Sequence, residues 1–425
     1  MHIDQMNHEE LKHCYKALHK KHEAFKATAL NLDLTRGKPS ASQLDLSNIL
    51  DGAIKGNYIT KGGIDTRNYG NLAGLPEMRA LGAELLGVDN NEVIVGGSSS
   101  LSLMYLTLLF AWQFGLNGKG SAWRDQGNMK FLCPVPGYDR HFSICEEFGI
   151  EMIRVSMDEN GPDMDQVESL VKGDSSIKGM WCVPKHSNPT GCIYSRNNIE
   201  RLSKLGNISS PDFRIFYDNA YVVHDMSEDV VDLPSIMEYC RKQNTQDSVL
   251  QFTSTSKITF AGSGVSFLAA SEKNISAIQR HLGIFCIGPD KVNQLRHLAV
   301  IKDRASLKLH MRKHAALLNP KFACVIKHLK NNFLDSDMAE WTSPTGGYFV
   351  SFNTRPGLAK AVVELSAEAG VKLTPAGATF PYGLDPEDKN IRLAPSFPSL
   401  GEIDSAMEIF CNSVKLASIR QKITM

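Results

Sequence analysis

The sequence has no long uninterrupted apolar segment and no excess of charge of either sign. Its longest apolar stretch, residues 101–114, is broken by Ser, Thr and Gln, and a membrane-spanning helix needs ~20 apolar residues. Lysine plus arginine and aspartate plus glutamate both number 46, so the formal net charge is zero. A balanced chain without blocks of like charge argues against nucleic acid or a membrane as a partner.

Cysteine motifs are missing as well. The nine cysteines are scattered from Cys14 to Cys411, and none forms a Cys-x-x-Cys pair. Without metal-ligand spacing or a disulfide framework, we expect no metal site and a reducing, cytoplasmic environment. Residues 1–26 are polar and lack the apolar core of a signal peptide.

What is present is an ordinary globular composition. The 425 residues are 42% hydrophobic and 22% charged, which leaves room for two domains. Short apolar runs alternate with helical stretches, a pattern typical of an α/β sheet with helices on its faces. We expect strands at 130–133, 151–155, 178–183, 213–217, 249–253 and 265–270.

Both ends of the chain differ from this middle part. Apolar spacing predicts an amphipathic helix over residues 8–30. A strongly helical region follows the sheet at 288–333, in which we expect Pro320 to break the helix. The last 85 or so residues mix short strands with helices. We therefore predict a large domain over 49–319 and a smaller α+β domain built from 1–48 and 320–425.

Four of the predicted strands lead into loops that are rich in chemically active side chains. The loops are 134–140, 185–191, 218–221 and 256–257. Ligands of open α/β sheets bind at the carboxyl ends of the strands. A single ligand at that edge would account for all four loops.

One of these loops carries Lys257 between hydroxyl residues, just past an apolar run. Burial beside a ligand would lower the pKa of its amine towards neutrality and make it a nucleophile. The alternative is an ordinary surface lysine.

A possible anion site precedes the long apolar helix. A short strand runs into Gly96 and Gly97, and three serines, Ser98, Ser99 and Ser100, open the helix. Free N–H groups and the positive end of the helix dipole favour a phosphate there. The alternative is that one serine only caps the helix.

Seven short motifs occur in the order found in one family. They are Asn-Tyr-Gly at 68–70, Gly-Gly-Ser at 96–98, Pro-Gly-Tyr at 136–138, Ser-Asn-Pro-Thr-Gly at 187–191, Asp-Asn-Ala-Tyr at 218–221, Ser-Lys at 256–257 and Ile-Arg-Leu at 391–393. Over nearly its whole length the chain resembles the fold-type I, class I pyridoxal-phosphate aminotransferases, and most of all a bacterial aspartate-aminotransferase-like branch. The resemblance implies a large domain with a mainly parallel, seven-stranded sheet between helices, plus a smaller α+β domain.

The resemblance also implies an activity. Such enzymes move an amino group between an amino acid and a 2-oxo acid in a ping-pong cycle, and they work as homodimers with shared active sites. For this chain the expected donors are aspartate or glutamate.

The resemblance assigns three residues to catalysis. Lys257 would be the Schiff-base lysine and would carry the proton from the substrate α-carbon. Asp218 would keep the pyridine nitrogen of pyridoxal 5'-phosphate protonated, unless it is only a turn residue. Tyr221 would bond the phenolic oxygen of the cofactor; its alternative is a core aromatic.

Further residues would bind the cofactor or the substrate. Asn188 would share the phenolic oxygen with Tyr221 and also contact the substrate, unless it is only an Asn-Pro turn residue. Tyr138 would stack on the pyridine ring, with core packing as the alternative, and Tyr69 would reach the phosphate from the partner subunit. The hydroxyls expected around the phosphate are those of Ser98, Ser99, Ser100, Ser254 and Ser256. Arg392 would bind the α-carboxylate through its planar fork of donors, with a structural salt bridge as the alternative, and Gly37 would bring backbone close to the same carboxylate.

One position departs from the family pattern. Val265 stands where such enzymes usually have a phosphate-binding arginine, eight residues after the lysine. Lys291, Gln294 and Arg296 could supply the missing interactions, across the dimer or within one chain, or could simply begin a solvated helix. A dicarboxylate would need a second cation, for which the candidates are Arg36, Lys38, Arg67 and Arg140.

Two other functions stay open from the sequence. A lyase or an acyl-transferring synthase on the same scaffold would share the lysine and the aspartate. A ligand-sensing regulator would need a DNA-binding domain ahead of the fold, and the residues before Asn31 are too few for one.

Overall fold

The structure, a computed structural model, describes residues 2–229 and 232–424. Its helices are α1 (His8–Ala27), α2 (Ala41–Asp45), α3 (Pro76–Leu86), α4 (Ser100–Phe114), α5 (Asp139–Glu147), α6 (Met164–Gly173), α7 (Arg196–Lys204), α8 (Ile236–Gln243), α9 (Glu272–Phe285), α10 (Lys291–Val300), α11 (Arg304–Phe333), α12 (Ala359–Glu368) and α13 (Leu400–Thr424). Its strands are β1 (Leu32–Asp33), β2 (Val93–Val95), β3 (Lys130–Val135), β4 (Glu151–Asp158), β5 (Gly161–Pro162), β6 (Ile177–Cys182), β7 (Arg214–Asp218), β8 (Val249–Ser254), β9 (Ser266–Ala270), β10 (Ala339–Trp341), β11 (Val350–Thr354), β12 (Val371–Lys372) and β13 (Asn390–Leu393).

The predicted α/β fold is confirmed. The large sheet has the order β2-β9-β8-β7-β6-β3-β4-β5. The pairs from β8 through β4 are parallel, whereas β9 runs antiparallel to both of its neighbours. The eighth strand, β5, is a two-residue edge piece added to the seven strands expected.

The middle strands are buried on both faces, which is why they read as continuous apolar runs. Alternate side chains point to opposite faces. Phe131, Trp181 and Phe216 pack in a core with α4, α5 and α9 on one face. Met180 and Ile215 pack with α6, α7 and α8 on the other. The helices on both faces leave the carboxyl ends of β6, β7 and β8 as the edge at which a ligand can be reached.

A second core joins the two ends of the chain. The antiparallel sheet β10-β11-β13 and the short parallel pair β1-β12 pack with α1, α12, α13 and the second half of α11. The first half of α11 instead packs with α3 through Leu307 and Met311. This partition supports the predicted domains, whose boundaries at 48/49 and 319/320 stay a prediction.

The expected helix break at Pro320 is wrong, because α11 runs without interruption from Arg304 to Phe333. A proline inside a helix costs about 3 kcal/mol. The flanking residues Leu318, Phe322, Val325 and Leu329 are all buried, and each buried side chain stabilises by roughly 1.5–3 kcal/mol. Tertiary packing on both sides of Pro320 therefore outweighs the lost hydrogen bond.

Over the two described segments, no helix is both long enough and apolar enough to cross a membrane.

The close contact between β6 and β3 at Gly179 can be tested by substitution. A Cβ atom at Gly179 would lie 2.2 Å from the ring of the buried Phe131. Overpacking of this kind costs about 1–3 kcal/mol, so Gly179→Ala should lower the thermal and urea unfolding midpoints. Gly173→Ala is the matched control, since a Cβ there meets nothing within 4 Å. Equal midpoints for the two variants would contradict the packing described.

Candidate active site

Lys257 lies three residues past the end of β8 and is partly buried. Its Nζ is 4.9 Å from the centroid of the Tyr221 ring, and none of the described residues hydrogen-bonds this amine. Desolvation lowers the pKa of Lys257, while the negative charge of Asp218 acts in the opposite direction. The structure thus places a partly desolvated, unbonded amine beside a carboxylate at the sheet edge.

The backbone carbonyl of Lys257 is fixed by side chains from other parts of the chain. The Tyr348 hydroxyl donates to the Lys257 carbonyl at 3.2 Å, and the Gln43 amide donates to the Tyr348 hydroxyl at 3.1 Å. The ring Nε2 of His224 lies 3.4 Å from the same carbonyl. Sequence reasoning missed these residues, which come from three distant parts of the chain.

Asp218 ends β7 and is 3% exposed. Its Oδ1 accepts from the Ala220 N–H at 3.1 Å, and its Oδ2 lies 3.2 Å from Nε2 of His141. His141 is stacked on Trp181 with ring centroids 4.2 Å apart. The carboxylate is therefore fixed by one turn contact and one buried imidazole. His141 was not predicted, although its position three residues after Tyr138, on the first turn of a helix, could have suggested it.

Two tyrosines flank this carboxylate. Tyr138 precedes α5, and its ring meets the His141 ring edge-on at 4.9 Å. Tyr221 is buried, 5.8 Å from the Tyr348 ring, and burial raises the pKa of its hydroxyl well above the usual value. Tyr221 thus keeps a neutral hydroxyl that can donate a hydrogen bond.

Arg392, on β13, is brought to the same edge from the second core. Its Nη1 donates to Asn188 Oδ1 at 3.2 Å and to Asp139 Oδ1 at 3.1 Å, and its Nη2 donates to Thr374 Oγ1 at 3.3 Å. Its Nε is buried and has no partner among the described residues. Buried polar atoms are nearly always hydrogen-bonded, so this donor suits an anion brought by a ligand.

Phe349 forms a floor that links Arg392 with Gly37. The guanidinium carbon of Arg392 is 5.0 Å from the centroid of the Phe349 ring. A Cβ at Gly37 would lie 2.3 Å from the same ring, so only glycine fits there without a shift. Both predicted substrate residues therefore lie against one aromatic ring.

Three of the five predicted serines, Ser98, Ser254 and Ser256, form a hydrogen-bonded group near the start of α4. Ser256 Oγ donates to the Ser98 carbonyl, and Ser254 Oγ donates to Ser256 Oγ at 3.2 Å. Ser99 Oγ accepts from the Leu101 N–H at 3.2 Å and so caps the helix. Ser100 is the first residue of α4. The observed cap does not decide between capping alone and a phosphate site, because one hydroxyl can serve both.

Val265 is buried in an apolar core and offers no polar side chain to this group. The residues suggested as substitutes are bonded elsewhere in the same chain. Lys291 Nζ donates to the carbonyls of Asn68 and Gly70 at 2.6 and 2.9 Å, Gln294 accepts from the Leu75 N–H at 2.8 Å, and Arg296 pairs with Asp51 at 2.8 Å. Lys291 thereby braces the loop that carries Tyr69, which is itself 83% exposed.

The candidate second cations do not converge in one chain. Arg67 pairs with Asp65 at 2.6 Å. Lys38 lies over the ring of Phe397, with its Nζ 3.8 Å from the centroid. Arg36 and Arg140 are both exposed. The geometry selects none of them for a distal carboxylate.

Comparison with known proteins gives this site its context. The family described as "Aspartate amino-transferase" matches residues 6–425. A putative aminotransferase of Mycolicibacterium smegmatis is 47% identical over 93% of this chain and 92% of its own length. An aspartate aminotransferase of Corynebacterium glutamicum is 44% identical over 97% of this chain and 93% of its own length.

Solved structures agree with these relatives. The crystal structure of an aspartate transaminase from Corynebacterium glutamicum superimposes with a TM-score of 0.96 at 43% identity, covering 99% of both chains. An α-aminoadipate aminotransferase from Thermus thermophilus, complexed with N-(5'-phosphopyridoxyl)-L-leucine, shares the fold with a TM-score of 0.74 at 20% identity over 92% of this chain and 93% of its own.

Fold and relatives together define the class of the protein: it is an aminotransferase with the fold of the pyridoxal-phosphate-dependent transferases. Within that class, the chain belongs to the aspartate aminotransferase family.

The charge of Asp218 should control the protonation of Lys257. Because a nearby negative charge stabilises the ammonium form, Asp218→Asn should lower the pKa of Lys257 further. The pH dependence of reductive methylation at Lys257, followed by peptide mass spectrometry on cofactor-stripped protein, measures this shift. Asp139→Asn removes an equal charge that does not act on this amine and should leave the profile in place. An unchanged profile in Asp218→Asn would contradict the coupling.

Proposed function

We propose that the protein is a pyridoxal-phosphate-dependent aminotransferase that moves the amino group of aspartate or glutamate to a 2-oxo acid by a ping-pong mechanism. The observation that carries the proposal is the Lys257 amine, desolvated beside Asp218 and free of hydrogen bonds to the described residues. An unbonded, partly buried lysine is costly unless a ligand uses it.

The residues at the sheet edge fit pyridoxal 5'-phosphate. In this proposal Lys257 holds its aldehyde carbon, Asp218 its ring nitrogen, Tyr221 and Asn188 its phenolic oxygen, and Tyr138 its ring face. Ser98, Ser99, Ser100, Ser254 and Ser256 form the phosphate site, supported by the group that three of them make near the start of α4. When bound, the cofactor supplies an aldehyde that captures amines and a ring that withdraws electrons.

Lys257 has a second role once the substrate amine is bound. A neutral amine can accept the proton of the substrate α-carbon at its Nζ, and desolvation favours that neutral form. Asp218 must stay ionised to hold a protonated ring nitrogen. The buried contact with His141, itself fixed against Trp181, keeps the carboxylate oriented for this task.

Arg392 fixes the substrate in this scheme. A planar guanidinium can pair with a carboxylate through two parallel hydrogen bonds. Asn188 and Thr374 hold its two Nη atoms in place, and the unpartnered Nε adds a donor. The Gly37 backbone, lying on the same aromatic floor, completes the α-carboxylate site.

The preference for aspartate or glutamate rests on the relatives, among them the Corynebacterium glutamicum enzyme named for aspartate.

The same proposal includes a cytoplasmic homodimer in which Tyr69 reaches the partner's phosphate site. Apolar side chains that single-chain burial leaves exposed support the dimer: Ile284, Phe285 and Ile287 are 89%, 65% and 63% exposed. The Tyr69 loop is tied to this segment through Lys291.

The cofactor and the reaction can be tested on the purified protein. We expect a visible chromophore, and borohydride reduction should fix the cofactor on Lys257 in peptide maps. In a separate sample that has not been reduced, aspartate or glutamate should convert the bound cofactor to its amine form with release of one oxo acid. A label on another lysine would overturn the site. Pyruvate and ammonia from a single substrate would show a lyase instead.

The α-carboxylate role of Arg392 predicts a uniform effect on substrates. Arg392→Lys keeps the charge but loses the fork, and a lost charge-assisted hydrogen bond costs about 1.5–3 kcal/mol. KM should therefore rise roughly 10- to 100-fold for every amino acid tested. Arg201→Lys, which alters a surface pair with Glu168, is the control and should leave KM unchanged. An effect confined to acidic substrates would contradict the assignment.

A further inference from the structure

A cluster of three potential metal ligands lies in the second core, formed by different parts of the chain. Cys324 Sγ is 3.7 Å from Asp404 Oδ1, and His328 Nε2 is 2.8 Å from the same oxygen. The donor atoms of all three residues lie within 4.8 Å of one another. No other group of this kind occurs in residues 2–229 and 232–424.

Helix geometry sets this arrangement. Cys324 and His328 are four residues apart on α11, so they lie one turn apart on the same face of the helix. Asp404 projects from the first turns of α13, which packs along α11 in the second core. Both helices are anchored by buried neighbours, for example Val325 on α11 and Ile403 on α13. The three side chains therefore start from rigid elements.

The cluster is also reachable from solvent. The Asp404 side chain is 70% exposed and that of His328 is 20% exposed, while Cys324 is partly buried. An ion could enter from the Asp404 side without any movement of the backbone. Cys133, Cys145, Cys182, Cys240 and Cys411, in contrast, are all buried.

We propose that Cys324, His328 and Asp404 bind a divalent transition-metal ion of the zinc type, with water as the fourth ligand. A set of one sulfur, one nitrogen and one oxygen donor suits zinc or cobalt rather than magnesium or calcium. Binding forms a bond from each donor to the ion and releases the Cys324 thiol proton to solvent.

The distances fit such an ion with little adjustment. Tetrahedral zinc holds sulfur at about 2.3 Å and nitrogen and oxygen at about 2.0–2.2 Å, which places its ligand atoms roughly 3.3–3.6 Å apart. The separation of 3.7 Å between Cys324 and Asp404 is already close to this value. The hydrogen bond of 2.8 Å between His328 and Asp404 has to open by about half an ångström, which rotation of the exposed carboxylate allows.

The simpler interpretation is a His328–Asp404 ion pair to which the Cys324 thiol adds a weak hydrogen bond. The state of the thiol separates the two interpretations, because only metal binding requires it to become a thiolate. A bound ion would clamp α13 to α11, away from the Lys257 site. The inference therefore does not depend on the proposed function.

Cobalt(II) is the probe of choice, used with the untagged full-length protein carrying its cofactor. Tetrahedral cobalt with a thiolate ligand gives visible bands at longer wavelengths than the cofactor chromophore. We expect one equivalent of cobalt to produce these bands and zinc to abolish them. Competition with a chromogenic chelator then gives the zinc affinity.

Substitution of each proposed ligand tests whether that residue binds the ion. Loss of a supporting residue typically costs 10- to 100-fold in metal affinity, so Cys324→Ser, His328→Gln and Asp404→Asn should each weaken zinc binding by about 10-fold or more. Cys324→Ser should also remove the thiolate bands. Cys286→Ser is the matched control, since Cys286 is likewise partly buried but has no such neighbours.

Two outcomes would overturn the proposal: no stoichiometric cobalt bands in the unaltered protein, or bands that persist in Cys324→Ser. Far-UV circular dichroism and the cofactor spectrum confirm that each variant is folded. Should Cys324→Ser fail to fold, Asp404→Asn decides, because its side chain is exposed and isosteric; unchanged zinc affinity in that variant would equally refute the site.

Discussion

The structure depends on one electrostatic constraint, the presence of an amine and a carboxylate at the buried edge of a parallel sheet. Lys257 and Asp218 follow adjacent strands, β8 and β7, whose pairing sets Asp218 opposite Phe252. Isolated charges are expensive to bury. Asp218 is therefore held by His141 and by the Ala220 N–H, while the Lys257 amine has no hydrogen bond to any described residue. The surrounding sheet, buried on both faces, keeps this unequal arrangement rigid.

The residues around Arg392 come from a different part of the fold than Lys257 and Asp218. Arg392 belongs to the antiparallel sheet of the second core, yet it bonds Asn188 and Asp139 from the large sheet's edge. Phe349 and Gly37, from opposite ends of the chain, meet beneath it. A carboxylate bound here would touch both cores at once. Asp139 adds a competing negative charge, so a substrate carboxylate in the proposed position would share the guanidinium with a carboxylate of the protein.

The order of strands and helices could be predicted because buried parallel strands are short, apolar and separated by turn residues. Lys257, Asp218 and Arg392 could be predicted because strand ends and short motifs mark them. Tyr348 and Gln43 could not, since each matters only through a contact with a residue far away in sequence. For His141 the only signal was its position on the first helical turn after Tyr138. The helix break predicted at Pro320 was wrong because the low helix propensity of proline is outweighed by packing on both sides of that residue.

The surroundings of Val265 show which polar groups a single chain can offer to an anion near Ser98. Its side chain is buried against the core that also holds Ile258, so an arginine could not replace it without burying an unpaired charge. Lys291 and Arg296 are the alternatives suggested by the sequence. Lys291 donates a hydrogen bond to the Tyr69 loop, and Arg296 pairs with Asp51. What remains around Ser98 is a set of neutral hydroxyls and the positive end of α4, which favour an anion but do not neutralise it. The charge balance of a bound phosphate would then have to come from outside this group, and the proposed homodimer is one source of such outside groups.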